Sequence, residues 1–229
     1  MLNFEKLFAK PHTPEQISAL WNVYHAARSG GTGRGYLSAT IPLDKYEKMA
    51  SFAKSYNKFI LPLAREDAQV PGSDKPEGLV KTPTEFFYMQ WDFHDSPPDP
   101  RPTSDPFAIA QSSAGPKTST ILFTPLIEYQ THNSFATPHL VITHYTDLAT
   151  THGVVLLRGE ITPLNGQGGV KGTHYHLSQH HAQALALGVQ HFYLWPGENM
   201  EREELVKTFH ERPQDFKWED ILRLSPTTI

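Results

Sequence analysis

The chain has 229 residues, of which 38% are hydrophobic and 19% are charged, an ordinary composition for a folded globular protein. Its 20 basic and 24 acidic residues give a net charge of −4, which excludes a role that relies on attraction to a nucleic-acid backbone. The absence of cysteine excludes disulfides, thiolate metal sites and cysteine nucleophiles. The longest apolar runs are far too short to span a membrane.

The first well-signalled element is a helix at residues 14–28. Thr13 can cap this helix, Pro14 suits its first turn, and Gln16 completes the spacing of a capping box. The sequence then predicts a second helix at about 43–56, a short strand at 58–63 and a strongly aromatic strand at 85–93.

Two segments, 65–84 and 95–119, are polar and interrupted by many prolines. Segments of this composition bury too little apolar surface to offset the entropy of ordering them, so we expect flexible loops at both places.

Residues 123–160 contain three strand-like runs, beginning at 123, 140 and 154, joined by short connections. Parallel neighbours would need a crossover of a dozen or more residues, so these runs are predicted to pair antiparallel. Glu128 is predicted to lie inside the first of these strands, as a charge in an otherwise apolar run. Helices are predicted at about 178–192 and at 198–220, the latter broken at Pro213.

The predicted fold class is therefore α+β: a single domain, 1–229, with a mainly antiparallel sheet and N- and C-terminal helices packed against it.

Alternate residues of the predicted strands differ in polarity. In the last run, one face carries Val155, Leu157 and Ile161, whereas the other carries Arg158 and Glu160. Helices packed on one side only would leave the mixed face available to a partner.

A group of histidines, His174, His176, His180 and His181, could bind a transition metal. The sequence contains no HExxH motif, and the cluster holds no carboxylate that would complete a catalytic set. Two alternative functions stay open on the residues alone. One is a metal-dependent enzyme built on this cluster, and the other is an adaptor that uses the proline-rich loop at 95–119.

Four segments carry a family resemblance in order along the chain: FTPLIEYQTH, THYTDL, GVVLLRGE and LVKTFHERPQDF. In these segments the chain resembles the mitochondrial ATP synthase assembly-factor family, chaperones of the catalytic beta subunit. The resemblance extends over nearly the whole chain except the two proline-rich segments.

The resemblance implies a mitochondrial matrix protein that binds the free beta subunit and shields it until the alpha subunit replaces it. It implies no catalysis, metal or cofactor, no nucleic acid, no membrane insertion and a monomeric free state. The N-terminal residues have the features of neither a secretory signal nor a transit peptide, so the compartment follows from the resemblance alone. We expect partner-binding residues on the mixed sheet face and its rim: Trp91, Tyr129, His132, Tyr145 and Arg158.

Overall fold

A six-stranded sheet in which every neighbouring pair is antiparallel forms the centre of the fold. The computed structural model describes residues 12–29, 32–65, 83–95, 117–164, 174–195 and 197–225. The strand order across the sheet is β1-β6-β5-β4-β3-β2. In chain order the strands are β1 (Tyr36–Pro42), β2 (Lys58–Ala64), β3 (Thr84–His94), β4 (Thr118–Pro125), β5 (Leu140–Tyr145) and β6 (Val154–Ile161).

The helices lie before, between and after these strands. They are α1 (Pro14–Arg28), α2 (Leu43–Ser55), α3 (Leu126–His132), α4 (Ala149–His152), α5 (Gln179–Tyr193), α6 (Met200–Glu211) and α7 (Trp218–Leu224). Single 3-10 turns follow α3, at Asn133–Phe135, and α6, at Pro213–Asp215.

One face of the sheet forms the main core. The strand register places Val155, Ile142, Phe123 and Met89 on this face, and all four are buried. Helices α2, α5, α6 and α7 pack their apolar sides onto it. Because successive side chains of a strand point to opposite faces, the same register leaves the alternate residues for the other side of the sheet.

Helix α1 covers one end of that other face. Ile17 and Trp21 pack there against Leu148 and Leu156 in a second, smaller cluster. The Trp21 indole also donates a hydrogen bond to the Leu157 carbonyl oxygen at 2.8 Å, which anchors the helix to the sheet. This face is therefore covered by a helix at one end, whereas the main core face is covered by four.

The structure confirms the predicted α+β class and most of the predicted elements. The capping box of α1 is formed as expected: Thr13 Oγ1 accepts from the Gln16 amide at 3.3 Å, and Gln16 Oε1 accepts from the Thr13 amide at 3.1 Å. The C-terminal helices are interrupted at Pro213, as predicted.

The prediction that Glu128 lies inside a strand is wrong. Strand β4 ends at Pro125, and the chain turns directly into α3. Pro125 has φ −52° and no amide hydrogen, so it suits the start of a helix and ends the strand's ladder. Within α3, Tyr129 is half-buried against the sheet while Ile127 and Gln130 are exposed, a helical pattern that a run of seven residues is too short to signal in the sequence.

The expected position of Trp91 on the mixed face is also wrong. Trp91 is fully buried on the main core face, where its ring stacks with Phe93 and His144 and lies near Tyr193. The two-residue period of β3 puts its side chain on the same side as Met89. Trp91 is thus a core residue and cannot contact a partner in the folded protein.

The two predicted loops, at 65–84 and 95–119, lie outside the described residues except at their ends. Thr84 belongs to β3, and Thr118 and Ser119 belong to β4.

The substitution Trp91→Ala should lower the free energy of unfolding by about 3–5 kcal/mol, because it leaves a large cavity in a closely packed core. Urea denaturation followed by far-UV circular dichroism measures the change. Ile127→Ala, at a side chain that is 72% exposed, is the matched control and should stay within about 0.5 kcal/mol of the parent protein. A similar small effect at Trp91 would contradict its place in the core.

Stability should also fall in mild acid because of His144. Burial lowers the pKa of His144 to about 3, and its Nδ1 atom lies 3.1 Å from Ser119 Oγ. Histidine in the unfolded chain has a pKa near 6.5. Below that pH the unfolded chain binds a proton at His144, whereas the folded chain keeps the ring neutral. The stability supplied by the neutral ring is complete above pH 6.5 and is lost as the pH falls toward about 3.

The measurement is urea unfolding at pH 7 and pH 5 of the parent and of His144→Asn, whose side chain keeps the hydrogen bond to Ser119 without titrating. The stability difference between the two proteins should shrink by about 2 kcal/mol on going from pH 7 to pH 5. An unchanged difference would show that His144 does not titrate as its burial requires.

Candidate protein-binding surface

The uncovered part of the second sheet face consists of two rows of side chains that cross β3, β4, β5 and β6. We call these two rows the open face. The pairing register aligns the first row as Gln90, Leu122, Val141 and Glu160, and the second as Asp92, Thr120, Thr143 and Arg158. Each of these residues is partly or well exposed.

The open face is apolar in its middle and charged at its ends. Leu122 and Val141 lie side by side on the two central strands. At the β6 end, Arg158 forms an ion pair with Glu160, and its guanidinium group lies 5.9 Å from the centre of the Tyr36 ring. At the β3 end, the Gln90 amide donates to Asp92 at 3.0 Å. An apolar strip with a polar rim is the usual arrangement at a protein–protein interface.

Helix α3 borders the open face at one end. The Tyr129 ring stacks on Tyr88 of β3, with ring centroids 4.1 Å apart and planes inclined by 29°. The pKa of Tyr88 is raised above its usual value, mainly by burial and secondarily by a hydrogen bond with Tyr129. His132 is exposed at the last position of α3. Tyr129 and His132 are therefore at the rim, but on a helix and not on a strand.

Helix α1 borders the open face at the opposite end. Tyr145 lies next to it on β5, and its ring packs edge-on against Trp21 at a centroid distance of 6.2 Å. Tyr145 pairs with Leu156 of β6. Arg158 lies two residues further along β6, so its side chain is on the same face as that of Leu156. The structure therefore brings Tyr145 and Arg158 together at the α1 end and places Tyr129 and His132 at the α3 end.

Two exposed apolar residues near α3 were not predicted. Ile127 is 72% exposed, and Phe135, in the 3-10 turn after α3, is 90% exposed. A helical interpretation of residues 126–132 would have identified Ile127, because it lies outside the half-buried side that carries Tyr129. Both residues extend the apolar surface beyond the sheet itself.

The metal site that the alternative enzyme function would need at the histidine cluster is not assembled by the residues that the structure describes. Within those ranges, no three histidine or acidic side chains are grouped so that they could hold a metal ion. His176 instead stacks on His139 with ring centroids 4.0 Å apart, and His181 Nδ1 lies 3.2 Å from an Arg65 nitrogen.

The stacked histidines are held in a largely buried position. Burial and, secondarily, the neighbouring His176 lower the pKa of His139 to about 4, although Glu128 Oε1 lies 3.2 Å from its Nε2 atom. The ring does not make a well-aligned hydrogen bond to that carboxylate, so the contact does not offset the cost of burying a charge. His139 is therefore neutral near pH 7 and does not act as a charged group below α3.

The helices of the described ranges include none with both the length and the apolar character to cross a membrane. The features that the described surface does offer are the open face and its two helical rims, and these fit binding to another protein.

Residues 1–222 match the family model described as "ATP11 protein". The chain belongs to the ATP11 family.

Known members of this family share modest sequence identity with the chain. It is 29% identical over 177 residues to "Protein atp11, mitochondrial" of Schizosaccharomyces pombe, covering 77% of this chain and 44% of that protein. It is 27% identical over 214 residues to the human "ATP synthase mitochondrial F1 complex assembly factor 1", covering 93% of this chain and 47% of the relative. The factor of the same name in Danio rerio is 26% identical over 217 residues, covering 95% and 52%. The chain thus spans about half the length of the curated relatives it matches.

The stack of Tyr129 on Tyr88 should hold α3 of this ATP11 family member against the sheet. The substitution Tyr129→Ala removes the stack and should lower the free energy of unfolding by about 1–2 kcal/mol, since aromatic pairs contribute about 0.5–1.5 kcal/mol beyond the buried area. Urea unfolding measures this change. The control is Gln130→Ala, the next residue of α3, which is exposed and should change stability by less than about 0.5 kcal/mol. Equal effects of the two substitutions would show that the stack does not hold the helix.

Proposed function

We propose that this protein assists the assembly of the mitochondrial F1 complex by binding the free beta subunit and shielding it until the alpha subunit takes its place. Membership of the ATP11 family, with residues 1–222 matched, is the observation that carries the proposal. Relatives named as F1 complex assembly factors support the assembly role. The beta subunit as the specific partner rests on the family resemblance alone. The word "mitochondrial" in the relatives' names supports a location in mitochondria, and the resemblance implies the matrix.

The shape of the open face suits a shielding role. A subunit that has not met its neighbours exposes an apolar interface, and a chaperone must cover that interface yet give way to the permanent partner. An apolar strip of Leu122 and Val141 between charged ends provides a contact of moderate strength. Shielding makes and breaks no covalent bond, so the proposed role uses no catalytic residue and no cofactor.

The open face is too small to form the whole interface. Four strands spaced about 4.8 Å apart and two rows about 7 Å apart cover about 300 Å². A standard interface buries about 800 Å² on each partner. The contact must therefore extend over the rims, where α1 exposes Leu20 and Val23 and the α3 end exposes Ile127 and Phe135.

The proposed contact residues follow from this geometry. Tyr145 and Arg158 lie at the α1 end of the open face, and Tyr129 and His132 lie at the α3 end. Trp91 is excluded because it is buried in the core.

The decisive experiment is co-purification of this protein with separately expressed F1 beta subunit, before and after addition of alpha subunit. A one-to-one complex that alpha dissolves is the expected result. A well-folded protein that forms no complex with beta would overturn the proposal. A complex with alpha alone would keep an assembly role and replace the proposed partner.

A charge on the open face should weaken that complex. Thr143→Glu places a larger, charged side chain directly opposite Arg158, an arrangement that the fold tolerates because the two charges attract. We expect at least a tenfold loss of affinity for the beta subunit with an unchanged thermal midpoint, measured by calorimetry and a thermal melt. The control is Ser51→Glu, an exposed position on α2, which packs on the main core face. Unchanged affinity in Thr143→Glu would remove the open face from the interface.

A further inference from the structure

Strand β1 forms one edge of the sheet, because it pairs with β6 alone. The hydrogen bonds at its two ends show which of its residues face β6. The Ile161 amide donates to the Gly35 carbonyl at 2.9 Å, and the Leu43 amide donates to the Gly153 carbonyl at 2.8 Å. In an antiparallel pair, residues that bond to the partner strand alternate with residues whose backbone groups point away. The odd-numbered residues of β1 therefore bond to β6, and the even-numbered residues point their backbone groups outward.

Ser38 and Thr40 carry outward-pointing amide and carbonyl groups in the middle of β1. Within the described ranges, none of their amide or carbonyl groups has a hydrogen-bond partner. At the start of the strand the corresponding positions are already used, since the Tyr36 carbonyl accepts from the Gln179 side chain at 3.2 Å and the Tyr36 amide donates to the Gly33 carbonyl. Two donors and two acceptors thus remain in the spacing that an added extended strand would satisfy.

The opposite edge of the sheet, formed by β2, is protected against such an addition. Its ladder bonds join Asn57 to Trp91 and Arg65 to Pro83, so Lys58, Pro62 and the other even-numbered residues point outward. Pro62 has no amide hydrogen to offer, and His210 Nε2 lies 2.6 Å from the Lys58 carbonyl oxygen. Helices α6 and α7 also pack beside β2. Proline and covering elements are the usual means by which proteins block strand addition. On β1 the outward-pointing proline is Pro42, beyond Ser38 and Thr40, and the helices that pack on β1 leave a cavity beside its edge.

A cavity of about 530 Å³ lies along the β1 edge between two helical walls. Asn22 and Ala26 of α1 line one wall, and Gln183, Ala186 and Leu187 of α5 line the other. No aspartate, glutamate, lysine or arginine is among the described residues that line it. The cavity therefore suits an uncharged chain that carries small or apolar side chains.

His25 of α1 lines the same cavity, and one of its ring nitrogens has no hydrogen-bond partner among the described residues. Its side chain is 2% exposed, and its Nδ1 atom lies 3.0 Å from the Trp21 carbonyl oxygen, to which it can only donate. The Nε2 atom is then an acceptor, and it is buried without a hydrogen-bond partner among the described residues. An acceptor that is buried without a partner raises the free energy of the folded protein.

We infer that the β1 edge accepts one extended, uncharged segment of a partner polypeptide, which adds to the sheet beside Ser38 and Thr40 and lies between α1 and α5. A single extended chain is favoured over a second copy of this protein, because a second copy would bring its own α1 and α5 to the same edge. The source of the segment rests on the proposed function: it belongs to the client subunit. The addition would hold the client through backbone hydrogen bonds, which are independent of side-chain sequence.

The client arm of the test uses Thr40→Pro and the matched Thr40→Ala with the F1 beta subunit. Proline at this position removes an outward amide and leaves the ladder to β6 intact, and β1 already accommodates Pro42. Thr40→Pro should weaken beta binding at least tenfold, and Thr40→Ala should bind as the parent does. Equal binding by both variants would overturn the inference and leave the proposed function standing.

Two further measurements keep the test decisive if Thr40→Pro fails to fold. In the parent protein, the Ser38 and Thr40 amides should exchange with deuterium quickly when free and at least tenfold more slowly in the complex. Ala186→Arg, which narrows the cavity from the α5 wall, should weaken binding in the same way. Slow exchange in the free protein would show that the chain itself occupies the edge, and a dimer in sedimentation analysis that Ala186→Arg dissociates would show that a second copy does. Either result overturns the inference.

A probe arm tests the edge if no F1 subunit binds and the proposed function fails. The probe is a seven-residue peptide of alternating threonine and valine with blocked ends, added to the labelled protein and followed by NMR. Shifts at the Ser38 and Thr40 amides that disappear when the peptide is N-methylated along one edge are the expected result. Two results would overturn the inference. One is that the N-methylated peptide still shifts the Ser38 and Thr40 amide signals, and the other is that neither the peptide nor an F1 subunit shifts them.

Discussion

Burial of one face of the six-stranded sheet is the constraint on which the rest of the structure depends. Each large apolar side chain on that face contributes about 1.5–3 kcal/mol when it is removed from water. The helices α2, α5, α6 and α7 must therefore gather on one side, and Trp91, Phe123 and Tyr193 become fully buried between the layers. Because side chains alternate along a strand, the residues between those of the buried face point to the opposite face of the sheet.

The other face is where binding becomes possible, because only its ends are covered. Helix α1 seals one end through Trp21, and α3 seals the other through the Tyr129 and Tyr88 stack. Between them lie two rows of partly exposed side chains with an apolar middle. The two sheet edges also differ. Pro62 and a contact from His210 block β2, whereas Ser38 and Thr40 of β1 have backbone groups without a partner among the described residues, beside a cavity lined by uncharged side chains. The open face and the β1 edge both adjoin α1, so one partner protein could contact both surfaces.

Much of the fold could be predicted from local patterns. The start of α1 followed from Thr13, Pro14 and Gln16, and the antiparallel pairing of β4, β5 and β6 followed from their short connections. Of the candidate site, the sheet face of Arg158 and Tyr145 could be predicted, because the two-residue period of a strand assigns each side chain to a face. Their contact with a partner stays a prediction. Trp91 was assigned against that period, and the structure places it in the core.

The sequence by itself determined the α+β class, the strand alternation and the family, since these depend on neighbouring residues and on ordered motifs. Only the tertiary structure decided that residues 126–132 form a helix, that α1 covers one end of the second face, and that Ser38 and Thr40 of β1 point backbone groups outward at an edge of the sheet. These outcomes depend on contacts between residues far apart in the chain, such as Trp21 with Leu157 and Tyr88 with Tyr129. A short segment with no strong preference of its own takes the conformation that its distant partners stabilise, and no local pattern contains that information.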